Sequence, residues 1–243
     1  MSDGIYSALS GAIAQSTLLE TAANNLANAS TNGYQRVRPV FQEVLSRAGG
    51  PAGPGTPRGG SIVTVAATAV DTSVGAIHPT GRPLDAALPE GVYLSVATPR
   101  GERYTRAVSL NISADGSVLT AQGDRVADEA GNPLLIPAGV GNVTLTADGE
   151  LRRGDTSVGR LRLVQFDRPN QLLPEGATLL ARGRAVATPT QATLTLGSVE
   201  ESNATAVSAM TELVTATRTF EAFQRVIDAF READRKVVTT VPA

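Results

Sequence analysis

One histidine, no cysteine and a scatter of carboxylates set the chemistry open to this chain of 243 residues. His78 stands in the turn-like run Ile77-His78-Pro79-Thr80-Gly81, with no Gly-x-Ser-x-Gly to supply a nucleophile that it could activate. Asp71, Asp85, Glu90, Asp115 and Asp128 fall at unrelated spacings, so no pair is placed for acid and base work. Phosphate cradles of the Gly-x-Gly-x-x-Gly or P-loop type are absent. Leu110-Asn111-Ile112-Ser113-Ala114-Asp115-Gly116-Ser117-Val118 and Val143-Thr144-Leu145-Thr146-Ala147-Asp148-Gly149-Glu150-Leu151 repeat one shape. Their Asp-Gly steps suit tight hairpin turns. Calcium loops are the alternative, although the other liganding carboxylates are missing. Arg153-Gly154-Asp155 matches an adhesion tripeptide short enough to arise by chance. We read the chain as a non-enzyme that needs no cofactor and no metal.

Charge narrows the partners. With 21 basic and 23 acidic residues and a net charge of −2, no field draws in nucleic acid or an anionic membrane. No run of about eighteen apolar residues is present, so no membrane insertion is expected. The first basic residue is Arg36, which leaves the start of the chain without the charged opening of a secretory signal. The protein is expected either to stay in the cytoplasm or to leave by a route that cleaves nothing.

What such a chain can do is make contacts, and its ends are written for that. Over residues 201–241, Leu213, Ala216, Phe220, Phe223, Ile227, Phe230 and Val237 recur at spacings of three and four, with Asp234 interrupting the last heptad. Three of the five phenylalanines lie on this stripe. Each such side chain stabilises a buried state by roughly 1.5–3 kcal/mol, so the face calls for a partner helix. Residues 3–29 offer one, with a poorer seam of Ile5, Leu9, Ala12, Ser16, Leu19, Ala23, Leu26 and Ser30. Asn and Gly in Thr31-Asn32-Gly33 suit its end. Asn24, Asn25 and Asn28 read either as solvated amides on a fraying helix or as amides bonding across a helix interface. Glu200, Glu201, Ser202 and Asn203 read as caps and dipole partners of the last helix. Glu221 with Arg225 and Glu232 with Lys236 make i, i+4 pairs on its outer face.

Between the helices the pattern changes. Gln35 to Phe41 alternates and Pro39 makes it extended, while Phe41, Val44 and Leu45 suggest a following helical turn. Gly49 to Gly60 holds six Gly and three Pro and reads as a loop or linker. From Ser61 to about Leu196 the period is two, with short strands at 62–65, 92–97, 107–112, 118–121, 143–146 and 161–166. The expected fold is α+β: terminal N- and C-helices packed as a coiled coil, with a central, mostly antiparallel β domain. The expected division is a helical assembly domain of residues 1–35 and 197–243, an extended segment of 36–77 and a β-rich outer domain of 78–196.

Ala23-Asn24-Asn25-Leu26-Ala27-Asn28-Ala29-Ser30-Thr31-Asn32-Gly33-Tyr34 resembles the N-terminal signature of the bacterial flagellar axial proteins, the rod and hook family. Thr80-Gly81-Arg82-Pro83-Leu84-Asp85, Tyr104-Thr105-Arg106, Ala114-Asp115-Gly116 and Leu119-Thr120 follow in that family's order. Ser202-Asn203, Met210, Leu213, Arg218, Phe220-Glu221-Ala222 and Ile227 match its C-terminal pattern. By length and by residues 218–227 the chain is most similar to a proximal-rod member, with a distal-rod or hook member as the alternative. The resemblance implies a structural subunit in a periplasm-spanning tube. Its partners would be other rod subunits, hook-proximal axial proteins and the flagellar export apparatus, and it would leave through that apparatus without a cleaved signal. The expected assembly residues are Leu19, Asn24, Asn25, Leu26, Asn28, Gly33, Tyr34, Asn203, Met210, Leu213, Arg218, Phe220, Glu221, Phe223, Ile227 and Phe230. A monomeric binding module, its helices closed into an ordinary hairpin, is the reading from another class.

Overall fold

Helix-forming residues dominate both ends of the chain, and both ends are helical: α1 spans Ser2–Ala27 and α2 spans Ala206–Thr240. The computed structural model describes residues 2–45, 61–137 and 142–240. The Gly/Pro stretch from Gly49 to Gly60 lies outside them, as do the side chains of Asp234 and Val237. Between the helices run eighteen strands among the described residues. They are β1 (Val37–Leu45), β2 (Ser61–Val70), β3 (Ile77–Pro79), β4 (Asp85–Ala87), β5 (Val92–Thr98), β6 (Gly101–Thr105), β7 (Val108–Ile112), β8 (Val118–Thr120), β9 (Arg125–Val126), β10 (Val143–Leu145), β11 (Glu150–Arg153), β12 (Thr156–Arg160), β13 (Leu163–Phe166), β14 (Leu173–Glu175), β15 (Leu179–Ala181), β16 (Ala187–Pro189), β17 (Thr195–Leu196) and β18 (Ser198–Glu200).

The chain divides into two units. A helical unit takes the described parts of Met1–Leu26, Arg38–Thr68 and Val207–Ala243, and so contains α1, α2 and most of the β1–β2 ribbon. A β unit takes Ala27–Val37 and Ala69–Ala206. In the β unit an eleven-stranded sheet runs β14-β15-β6-β5-β9-β8-β7-β4-β17, with β13 bridging β5 and β16. Every described pairing in it is antiparallel.

Strand β5 shows how alternation builds this unit. Val92, Leu94 and Val96 enter one apolar cluster with Leu88, Leu110, Val118, Val126 and Leu151, while Tyr93 enters a second with Tyr104, Val164, Phe166 and Leu172. Successive strand residues face opposite ways, so one strand serves two cores. In the second core the Phe166 ring meets Tyr93 edge-on at 5.4 Å and Tyr104 at 4.8 Å between centroids.

The Asp-Gly repeats form the expected hairpins. Gly116 and Gly149 close the turns of β7–β8 and β10–β11, where Ser113 N donates to Ser117 O and Thr146 N to Glu150 O. The aspartates serve their own turns. Asp115 accepts from the Ser117 hydroxyl at 2.9 Å and from Ser117 N at 3.2 Å, and Asp148 accepts from the Thr146 hydroxyl. These bonds hold both carboxyls below the usual carboxylate range. Among the described residues no group of carboxylates or histidines is placed to hold a metal.

Two local readings are corrected. Phe41, Val44 and Leu45 continue strand β1 instead of opening a helical turn, because β1 pairs with β2 and aromatic Phe41 and β-branched Val44 favour a strand. Helix α1 ends at Ala27, two residues early, and residues 28–33 are successive turns in which Thr31 N donates to Asn28 O.

Candidate assembly surfaces

The α2 stripe lies on the covered side of its helix. Ala216 is buried and Leu213, Phe220, Phe223, Ile227 and Phe230 are half-buried, whereas Val207, Met210, Val214 and Val226 are exposed. Helix α1 meets it without a side chain at one point: a Cβ on Gly11 would stand 2.5 Å from Phe223 Cε1, so any larger residue there would displace the ring. Beside this contact a cleft of about 560 Å³ stays open, lined by Leu9, Ala12, Ile13, Phe220 and Ile227, with Asp228 and Arg231 at its edge.

The expected α1 seam is less well matched. Of that seam Ala12 is buried and Ile5, Ser16, Leu19 and Leu26 are half-buried, but Leu9, Ala23 and Ser30 are exposed, and off the seam Ala8, Ala14, Ala22 and Asn25 are buried. An alanine-rich helix has little contrast between faces, so a one-position shift in the buried face leaves hardly a trace in the sequence. Of the other residues expected to assemble, Leu19, Leu26 and Asn28 are half-buried, and Asn24, Arg218 and Glu221 are exposed. On the outer face Lys236 pairs with Glu232 at 2.8 Å.

A second constellation lies wholly inside the β unit, where residues 33–36, 71–76 and 197–204 are stitched together. Asn203 is its hub. Its Oδ1 accepts from Arg36 N at 2.6 Å, its Nδ2 donates to Asp71 O at 2.9 Å and to Ser73 O at 2.8 Å, and its backbone N donates to Tyr34 O. Asn203 is therefore no helix cap, since its amide stands in for a missing strand. Asn203→Ala would leave Arg36 N without this partner and lower the stability of the β unit by about 1–3 kcal/mol, measurable by urea unfolding.

Glu200 is likewise no dipole partner of α2. It is buried in β18, and its carboxylate receives Arg106 through Nε at 2.7 Å and Nη2 at 2.5 Å, and Gly75 N at 3.0 Å. Arg106 has no exposed side-chain surface. Its remaining N–H groups donate to the carbonyls of Leu88, Pro89 and Val92. In the sequence Tyr104-Thr105-Arg106 stands out only through the family resemblance. No local pattern marks an arginine whose partner lies 94 positions away.

Gly33 and Tyr34 join this junction. Gly33 has φ +72° and donates from its N to Glu200 O at 2.7 Å, and a Cβ there would lie 2.4 Å from Ala107 N. Both the left-handed backbone and the contact require glycine, so Gly33→Ala should cost about 1–3 kcal/mol in the same unfolding measurement. Burial pushes the hydroxyls of Tyr34 and Tyr104 up to about 12, and that of Tyr93 upward as well. A raised phenol pKa gives stability that is whole below the ordinary value of 10.0 and fades as pH climbs through the folded value. Three of the four tyrosines should therefore show phenolate absorbance at a higher pH in the folded chain than in urea.

The residues considered for chemistry stay apart. His78 is exposed on β3 opposite Val199, and Asp85 is buried, accepting from the hydroxyls of Thr80 at 2.8 Å and Ser109 at 2.6 Å. Arg153-Gly154-Asp155 sits at the tip of the β11–β12 hairpin, but Arg153 is turned onto the carbonyl of Pro137.

Three family models match the chain in order. Flagella basal body rod protein covers residues 5–35, the flagellar hook protein FlgE/F/G D1 domain covers 90–152, and the flagellar basal body rod FlgEFG protein C-terminal region covers 195–240. A flagellar basal-body rod protein FlgF of Escherichia coli (strain K12) is 36% identical over 94% of each chain. FlgF of Mesorhizobium japonicum is 30% identical over 91% of this chain and 90% of its own, and FlgG of Bacillus subtilis (strain 168) is 27% identical over 96% and 97%. The first and third models fall on the two helices and the junction, and the second falls on the hairpins of the β unit. The chain thus belongs to the flagellar basal-body rod protein family, as a FlgF-like structural subunit of the rod.

Proposed function

We propose that this rod subunit polymerises through its terminal helices and passes motor torque along the rod toward the hook. The observation that carries the reading is the incomplete cover of α2: a row of phenylalanines only half-buried, with Phe220 lining an open cleft shared with Leu9, Ala12 and Ile13. Leaving such a face in water is costly, and helices of neighbouring subunits are the partners of matching chemistry. In the assembled rod α1 and α2 form the coiled-coil lining, with Leu19, Asn25, Leu26, Leu213, Phe220, Phe223, Ile227 and Phe230 at the helix contacts and Asn24, Met210, Arg218 and Glu221 facing neighbours. Within the β unit Gly33, Tyr34 and Asn203 hold its junction together, and Asn28 precedes it in the family signature. Contacts of this head-to-tail kind close no ring and so grow as a filament.

The subunit travels to the flagellum through the export apparatus, without a cleaved signal and without entering the membrane as a span. No described helix is long and apolar enough to cross one. Limited proteolysis of the dilute chain tests the assembly reading. Rapid loss of both helices, leaving a resistant fragment within residues 27–206, supports ordering on assembly. Helices as resistant as the β unit would favour a monomeric module.

A further inference from the structure

Asn32 is the one asparagine in this chain followed by glycine. With no Cβ to hinder it, a glycine nitrogen is the backbone nitrogen best able to reach the preceding side-chain amide. The Gly33 nitrogen forms a bond to Asn32 Cγ and gives up its proton, the Cγ–Nδ2 bond breaks, and ammonia leaves. One water then opens the resulting succinimide at either carbonyl, giving aspartate or isoaspartate at position 32. In isoaspartate the main chain runs through the former side chain and is one bond longer.

The fold deals with the two reacting groups differently. Asn32 is exposed, so water reaches its amide freely. Gly33 is buried, its N–H donates to Glu200 O at 2.7 Å, and its Cα lies against the backbone of Ala107. On its far side Tyr34 O accepts from Asn203 N, and Arg36 N donates to Asn203 Oδ1. The attacking nitrogen is held by its own hydrogen bond and by those of the residues that follow it. We propose that Asn32-Gly33 is a deamidation site that is open before residues 33–36 dock on residues 200–203 and closed afterwards. A chain converted to isoaspartate before docking carries the extra backbone bond where Gly33 must fit against Ala107, and it fails to rebuild the junction.

Peptide mapping by mass spectrometry tests this on the full chain, incubated at one mildly alkaline pH with and without denaturing urea. The peptide holding residue 32 should gain the amide-to-acid mass increase at least about tenfold more slowly in the folded chain. The slowing should match the hydrogen-exchange protection of the Gly33 amide to within about threefold, since both need the same local opening. Asn203→Ala, checked by circular dichroism for a retained fold, should lower that protection and speed deamidation together. Equal rates in folded and denatured wild-type chains would overturn the proposal, as would a slowing that ignores Gly33 protection. If the variant does not fold, the wild-type comparison with exchange decides alone.

Discussion

Replacing Arg106 with methionine will lower the unfolding free energy of the β unit by about 3–5 kcal/mol, the cost of leaving one charge of a buried pair without its partner. The geometry behind this is specific. Arg106 meets both carboxylate oxygens of Glu200, crosses the Tyr93 ring at 5.7 Å and satisfies the carbonyls of Leu88, Pro89 and Val92. Methionine fills much of the volume but satisfies none of these acceptors, so Glu200 keeps only Gly75 N among these partners. Replacing Glu200 with leucine in the same chain removes the stranded charge and should return at least about 1 kcal/mol, a coupling that a double-mutant cycle measures. It should not restore full stability, because the carbonyls of Leu88, Pro89 and Val92 still lack the guanidinium N–H groups. A single variant within about 1 kcal/mol of the wild type in urea unfolding would show that the pair does not organise the junction.

Phe220→Asp will remove the subunit from the rod while leaving the β unit folded. Phe220 is half-buried on α2 and lines the open cleft of the helical unit. In an assembled helix seam it would be desolvated from every side, where an ionised carboxylate costs several kcal/mol for each subunit. That cost recurs at every copy along a filament. Cells relying on this variant should lose swimming, and their basal bodies should lack the chain, whereas the purified variant should unfold in urea with the β-unit transition of the wild type. Normal swimming would mean that the seam is not an assembly surface.

The legible parts of this fold follow periodicity. Leu213, Ala216, Phe220, Phe223 and Ile227 recur as a helix turns, and large side chains against Arg and Glu leave no doubt about the covered face. The Asp-Gly hairpins are legible because a tight turn with a left-handed residue has few sequence solutions. Helix α1 is the opposite case, since Ala8 and Ala22 differ too little from Ala12 and Ala23 for its seam to be placed. Residues 200–203 misled for another reason. Acids, a serine and an asparagine just before a helix look like caps, yet Glu200 and Asn203 are spent on Arg106, Gly75, Arg36, Asp71 and Ser73, up to 167 positions away in the chain. Local propensity carries no information about partners at that distance. The family signature held what periodicity lacked, because Gly33 and Tyr34 belong to it and meet Glu200, Asn203 and Ala107 inside the β unit.

Mass spectrometry of detergent-extracted hook and basal-body complexes, with hookless and rodless mutants as controls, tests the rod assignment and its proposed assembly most directly. This chain should appear in the rod fraction, persist in complexes from hookless cells and vanish from rodless ones. Finding it only in the soluble fraction, as a monomer, would contradict the account.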